Sequence, residues 1–434
     1  MPVARHPARS HALRSATVLT LLGAFATSTA SGQTADGAEQ LFRRYAGRVV
    51  IIQVVEHRSG AKAQVGSAFY VSPDGHLVTN YHVVASVVHE PSRYRAELVS
   101  PEGPNEPVSI EAVNVVDDMA VVRAARTPDG HFELRSAEAA HGARLYSFGN
   151  PFDLGIAIVE GTHNGLLKHT LYPRIHFSGA LNPGMSGGPT IAPSGSVIGV
   201  NVSTAGNEVS FLVPHDRAIA LLGRVLEPGY HAPQNLLPVV AQQLLAYQDA
   251  YVGALFADSG EQVALGPYRL PTKPAPFFNC WADADRSENV PYEVVTHECS
   301  TDDYVFVSRD HASGIVEFRH RLLESDELNR FQFAALLSEE FQGAEWVSRA
   351  GEEDVTPFRC RARNLEQGGL HLRTAFCVRR YRKLEGLYDA VLRAVTISRE
   401  RHGIVTTLSL SGVSRDNAER VARRYLGSIA WTGN

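Results

Sequence analysis

A serine set among glycines, in Asn182-Pro-Gly-Met-Ser186-Gly-Gly-Pro189, is the strongest chemical signal in the sequence. A serine hydroxyl is a poor nucleophile until a base takes its proton, and the anion its attack creates needs donors already in place. The glycines allow a sharp backbone turn and close approach of a substrate. They also let Gly184 and Ser186 present their N–H groups inward. Taken alone, the run also reads as a tight loop between strands.

A base is available in His82, within Thr79-Asn-Tyr-His82-Val-Val, where a strand end turns into one helical turn. Of the 18 histidines, His76, His163, His169 and His176 read as surface or structural. An orienting acid stands in Val115-Val-Asp-Asp-Met-Ala-Val-Val122: an aspartate entering so apolar a strand is costly unless a partner uses its charge. Strand alternation does not separate Asp117 from Asp118.

These groups need a scaffold. Between Arg48 and Pro214, short runs rich in Val, Ile, Tyr and Phe recur between Gly, Pro, Asn and Asp. Strands are expected near 48–55, 66–71, 76–79, 93–99, 107–115 and 119–124, then near 143–148, 155–162, 173–178, 188–192, 196–204 and 208–213. Regular spacing with turn signals points to sandwiches or barrels, and two groups of six point to two barrels, which closure leaves without exposed edges. Residues 37–46 read as a short amphipathic helix; 215–226 and 236–257 carry helical periodicity and lead out of the barrels.

The chain has 434 residues, with 41 basic and 46 acidic side chains for a formal charge of -5. That balance offers no support for nucleic-acid binding. Arg5, Arg9 and Arg14 precede an apolar stretch, Ala16 to Ala26, and a small-residue run ending Ala30-Ser31-Gly32. This order of basic, apolar and small residues reads as a secretory signal over 1–32, too short to span a bilayer, so the mature chain is expected to be exported, periplasmic or secreted, with no integral span.

Beyond a helical linker at 223–265, residues 266–434 read as an α+β region with an internal duplication, about 266–345 and 350–432. Pro276-Phe-Phe-Asn-Cys280 corresponds to Pro357-Phe-Arg-Cys360, and Cys299 and Cys377 follow 19 and 17 residues later. Gly314-Ile-Val316 matches Gly403-Ile-Val405, and Ser325 and Ser414 each lie 11 residues after their glycine, placed as helix N-caps. The repeat favours Cys280–Cys299 and Cys360–Cys377 disulfides, each worth ~3 kcal/mol by loop entropy. Without a Cys-x-x-Cys, a zinc or redox site is disfavoured. No phosphate loop or metal-binding carboxylate cluster stands out, and no cofactor is expected. Arg379-Arg-Tyr-Arg-Lys383 reads as a solvated face rather than a site for an anionic partner.

The order His, Asp, Ser and its flanking words resemble the trypsin-like serine proteases, most of all their bacterial HtrA (Deg) branch. The words are Gly66-Ser-Ala-Phe, Thr79-Asn-Tyr-His82-Val-Val, Asp118-Met-Ala-Val-Val, Phe148-Gly-Asn-Pro-Phe152, Asn182-Pro-Gly-Met-Ser-Gly-Gly-Pro, Val197-Ile-Gly-Val-Asn201 and Ser210-Phe-Leu-Val-Pro214. The resemblance spans about 38–222 and implies a mainly β, chymotrypsin-like double six-stranded β-barrel over 37–222. It implies His82 as general base, Asp118 rather than Asp117 as its orienting acid, Ser186 as nucleophile, and Gly184 with Ser186 as oxyanion hole. Protein or peptide substrates follow, as does a specificity pocket lined by Ser178, Ala180, Val202, Ser203 and Thr204. Ala180 stands where enzymes selecting basic side chains carry Asp, so small or medium apolar residues are expected before the cleaved bond. Family members commonly trimerise through N-terminal contacts that no segment here identifies.

Two departures qualify the resemblance. Met185 replaces the polar residue usual before the nucleophile, an effect expected on loop packing. Nothing after residue 230 resembles a PDZ domain. Two rival readings follow: a latent or binding-only barrel, and a carrier for a C-terminal module that binds a partner.

Overall fold

The computed structural model describes residues 37–257, 261–285, 289–301, 303–343, 349–397 and 400–433. The expected signal segment, 1–32, lies outside them. All twelve expected strands form. The first six are β1 (Val49–Glu56), β2 (Lys62–Tyr70), β3 (His76–Thr79), β4 (Tyr94–Leu98), β5 (Glu106–Asn114) and β6 (Met119–Ala124). They close into an antiparallel barrel in the order β1-β2-β3-β6-β5-β4. The next six are β7 (Arg144–Gly149), β8 (Ala157–Leu166), β9 (Ile175–Phe177), β10 (Pro189–Ile191), β11 (Val197–Gly206) and β12 (Val209–Pro214). They close a second barrel, β10-β11-β12-β9-β8-β7.

Alternation within these strands explains the closure, because apolar side chains on one face of each strand must find a shared interior. Ile52, Val54, Leu77, Val113 and Val122 fill the first barrel. Phe69, Val78 and Met119 from the first barrel meet Phe148, Val200 and Val213 from the second. Helices α1 (Ala38–Tyr45) and α3 (His215–Val225) cover that seam through Leu41, Tyr45, Ala218 and Leu221. Each fully buried Val, Leu, Phe or Met side chain contributes roughly 1.5–3 kcal/mol. The helix after Thr79 is longer than the single turn expected: α2 runs Tyr81–His89.

Helix α4 (Leu237–Ala257) does more than link. Val240, Ala241 and Leu244 pack into the first barrel's apolar cluster, whereas Tyr251, Val252 and Leu255 pack under a C-terminal sheet. That sheet has seven antiparallel strands, ordered β15-β16-β19-β23-β22-β21-β20. Its strands are β15 (Phe278–Asp285), β16 (Glu293–Thr301), β19 (Val316–Glu324), β20 (Arg359–Gln367), β21 (Leu370–Arg380), β22 (Tyr388–Thr396) and β23 (His402–Val413). Helices α5 (Arg330–Gly343) and α6 (Arg415–Gly427) pack on it. A small sheet is formed by β13 (Gln262–Leu265), β14 (Tyr268–Pro271) and β24 (Ala430–Trp431), and β17 (Val305–Ser308) pairs with β18 (His311–Ser313) as a separate hairpin.

Both expected disulfides are present. Cys280 joins Cys299 across β15–β16 and Cys360 joins Cys377 across β20–β21, at the two outer hairpins of the sheet. Ser414 caps α6 by accepting from Asn417 N. Ser325 does not cap α5; its hydroxyl accepts from Leu328 N in a preceding turn, and Asn329 Oδ1 takes the first helical amides, of Phe331 and Gln332. A short polar side chain with free backbone N–H groups beyond it serves a turn as readily as a helix, which is why the serine misled. Among the described residues, no helix is long and apolar enough to cross a membrane.

Candidate active site

His82 is the second residue of α2, and Asp118 lies in the turn entering β6. The Asp118 carboxylate receives two bonds from the same residue: His82 N donates to Oδ1 at 2.8 Å, and His82 Nδ1 sits 2.6 Å from Oδ2. Asp118 achieves this with a left-handed backbone, φ 60°, a conformation that short Asp and Asn side chains tolerate best. Asn80, buried at the α2 N-cap, donates from Nδ2 to Asp118 O at 2.9 Å and holds the turn. Asp117 faces elsewhere, receiving Asn114 Nδ2 at 2.7 Å. Burial alone would lower the His82 pKa; the Asp118 charge and hydrogen bond outweigh it and raise the value.

The serine loop is built from the second barrel and pinned to the first. Ser67 N, on β2, donates to Ser186 O at 2.8 Å. Ser67 Oγ donates to Gly184 O at 2.7 Å and accepts from Asn150 N at 2.9 Å. From β11, Asn201 Nδ2 donates to Phe148 O and to Met185 O at 2.9 and 3.1 Å, while its Oδ1 accepts from Ser147 and Thr190 hydroxyls. Gly187 has φ +86°, and a Cβ there would collide with Ser67 O; Gly184 has φ +95° and would collide with Asn150 O. Only glycine fits at positions 184 and 187.

Among the described residues, no protein acceptor meets the N–H groups of Gly184 and Ser186. The Ser186 hydroxyl contacts Val202 O at 3.4 Å and forms no hydrogen bond with His82. Such bonds are often long before substrate binds. Met185 is buried against Leu181 and Leu212, so its effect falls on loop packing.

Of the pocket residues expected, Val202, Ser203 and Thr204 share one depression with His82 and Asp118. Ser178 and Ala180 are not among its lining; Ser178 Oγ accepts from Thr162 N at 3.2 Å. Ser67 and Asn201 lie inside the sequence words noted above, but no local pattern announces that they tether the serine loop. Cys280, His297 and Cys299 lie together, but both sulfurs are in a disulfide, which leaves no thiolate for a metal.

Residues 66–200 match the family model described as a trypsin-like peptidase domain. Among curated proteins, the chain is similar to the mitochondrial serine protease HTRA2 of Bos taurus, at 33% identity over 190 residues, covering 41% of this chain and 40% of that one. It is also similar to a probable periplasmic serine endoprotease, DegP-like, of Marinomonas sp. (strain MWYL1), at 25% identity over 213 residues, covering 46% and 43%. Among solved structures, that titled "Crystal structure of Deg5" aligns at 24% identity with a TM-score of 0.38, covering 44% of this chain and 95% of that one. The chain thus spans less than half the length of the curated relatives it matches. With two closed six-stranded barrels around the matched segment, residues 66–200 carry a trypsin-like peptidase domain, and the N-terminal half is similar to the HtrA serine proteases.

Proposed function

We propose that the protein is an exported serine endopeptidase acting through Ser186, His82 and Asp118. The observation that carries this reading is the pair of hydrogen bonds that the Asp118 carboxylate accepts from His82, from backbone N and from Nδ1. With Nδ1 held as donor, Nε2 is the ring nitrogen left to accept the Ser186 proton. Ser186 Oγ then attacks the scissile carbonyl, and the Gly184 and Ser186 N–H groups receive the oxyanion. His82 returns the proton to the leaving amine; water, deprotonated by the same imidazole, releases the acyl group.

β11 supplies the binding track. β10 pairs with it from Val197 to Val200 and no further, so among the described residues the edge at Val202–Gly206 is left for an extended peptide to pair by strand addition. None of the five residues expected to line the pocket, Ser178, Ala180, Val202, Ser203 and Thr204, is acidic, which favours small or medium apolar residues before the cleaved bond. Periplasmic relatives and the N-terminal segment support export. The C-terminal sheet, whose outer hairpins carry equivalent disulfides, supports descent from a duplicated unit.

Diisopropyl fluorophosphate labelling, with the modified residue mapped, tests the catalytic reading: label on Ser186, absent in Ser186→Ala, is expected. Peptides ending in Ala or Val should turn over faster than those ending in Arg. A second reading, a latent barrel, has one observation in its favour, the Ser186 hydroxyl directed at Val202 O. It predicts labelling only in the presence of a bound peptide.

A further inference from the structure

The β17–β18 hairpin leaves the C-terminal sheet and lies against the site. Its segment Tyr304-Val-Phe-Val-Ser308 alternates in burial: Val305 and Val307 are buried in the apolar cluster of the first barrel, whereas Tyr304 is exposed and Phe306 is half-buried, resting against that cluster while its ring reaches the site. The Phe306 ring meets the His82 imidazole edge-on, with centroids 5.9 Å apart.

Three hydrogen bonds fasten the hairpin to the barrels. Tyr81 Oη donates to Val307 O at 2.9 Å, Tyr172 Oη to Tyr304 O at 2.7 Å, and Leu171 N to Asp303 Oδ2 at 3.0 Å. The Arg349 guanidinium lies over the Tyr304 ring, 4.7 Å from its centroid. Tyr304 and Phe306 thereby become a fixed wall of the depression that holds His82, Asp118 and the Val202–Thr204 edge. Phe306 also borders a second depression containing His82, with Gln64 and His89, so its ring stands as a ridge across the cleft.

We propose that the C-terminal region completes the peptide-binding cleft, with Tyr304 and Phe306 forming a subsite for an apolar side chain on the residue that precedes the one at the cleaved bond. The inference rests on the peptidase reading above. A peptide paired with the β11 edge points successive side chains to opposite sides, so when one enters the specificity pocket its predecessor turns toward His82 and Phe306. The surroundings there are apolar: Val116, Leu167, Tyr172 and Phe211. Its charged groups are already engaged. Asp118 holds His82, Arg174 stacks on Tyr172 at 4.3 Å and reaches Asp117 O, and Asp303 accepts from Leu171 N. Rigid aromatic walls bind apolar side chains at little entropic cost, and an acidic side chain would lose its hydration there beside the carboxylates of Asp118 and Asp303.

The test uses the full mature chain and three fluorogenic peptides, each with Val at the cleaved bond and Leu, Ala or Asp before it. The wild type is expected to prefer Leu over Asp by at least about 10-fold in kcat/KM, a discrimination typical of an apolar pocket. Phe306→Ala should shrink that ratio to about 2-fold, chiefly through KM, while Phe306→Leu should keep most of it. Tyr304→Ala, at a partly exposed position, should weaken the preference in the same direction. An equal fall for all three peptides would reduce the hairpin to a structural prop, and an equal rise would make it a lid; either overturns the inference. Fluorophosphate labelling separates the two levels: a labelled Ser186 with no preference in the wild type sinks the subsite alone, whereas an unlabelled Ser186 sinks the peptidase reading and the subsite with it.

Discussion

Tyr81 and Val307, 226 residues apart in sequence, are joined by a 2.9 Å hydrogen bond from the phenol to the backbone carbonyl. Tyr81 is fully buried and immediately precedes His82, so the C-terminal region braces the helix that carries the imidazole. Val305, Val307, Leu384 and Leu387 pack in the same apolar cluster as Val84 and Val88 of α2.

Truncation should therefore fail as a route to an independent protease. A chain ending at residue 230 loses α4 and the hairpin and exposes Tyr81, Val84 and Val88, each buried side chain worth roughly 1.5–3 kcal/mol. Residues 33–230 are expected to be poorly soluble or to unfold many degrees below the full chain in a thermal scan. A truncated form as stable as the full chain would refute the shared core.

Asp118→Asn should cost on the order of ten-thousand-fold in kcat with little loss of fold, because the imidazole tautomer is no longer fixed. Asparagine suits the test because it tolerates the left-handed backbone at φ 60°. Circular dichroism and peptide kinetics together report the outcome.

The pH profile carries a signed expectation. His82 acts as a base only when neutral, and Asp118 raises its pKa from 6.5 against the lowering effect of burial. The acid limb of kcat/KM should have its midpoint above 6.5, with activity falling as pH drops through it. In Asp118→Asn burial acts alone, and the limb of the residual activity should move below that value. A flat rate from about pH 5 to 8 would count against His82 as base.

Ser67→Ala removes the hydroxyl that links Gly184 O and Asn150 N. A buried backbone N–H, of Asn150, and a partly buried carbonyl, of Gly184, lose their partner, at a cost of about 1–3 kcal/mol. Urea unfolding should show that loss, and kcat should fall about 10- to 100-fold as the Gly184 peptide loosens, with KM nearly unchanged.

Acid should destabilise the fold. Burial pushes His89 and His311 down to about 4 and His320 to about 3. Their unfolded value is near 6.5, so below it the unfolded chain binds more protons, and stability is lost as pH falls from 6.5 toward 4. His82, with its raised pKa, acts in the opposite sense, but it stands against these three and against His76, His163 and His297, which burial also lowers. The thermal midpoint should drop between pH 7 and 4.5; a constant midpoint would be inconsistent with neutral burial of these rings.

The barrels were legible because each strand carries its own alternation and each turn its own Gly, Pro, Asn or Asp. Ser186, His82 and the aspartate pair were legible because glycines and an apolar strand make their chemistry conspicuous. Alternation did not decide between Asp117 and Asp118 for a structural reason: the left-handed residue breaks the extended repeat at that point. Ser67 and Asn201 act through bonds that cross between distant segments, and such bonds leave no periodic trace. Tyr304 and Phe306 carry no signal in the sequence, since nothing local records that they meet an imidazole from another part of the chain.

An open sheet is most vulnerable at its rims, where unpaired amides and carbonyls invite a foreign strand. Here β15 exposes Asp283 and Asp285 along one rim and β20 exposes Arg359, Arg361 and Arg363 along the other. Each rim strand is also bolted to its inner neighbour by a cystine. Peeling and self-templated aggregation are thereby opposed at both ends, so a chain kept in an oxidising compartment should stay dispersed where its reduced counterpart would tend to clump.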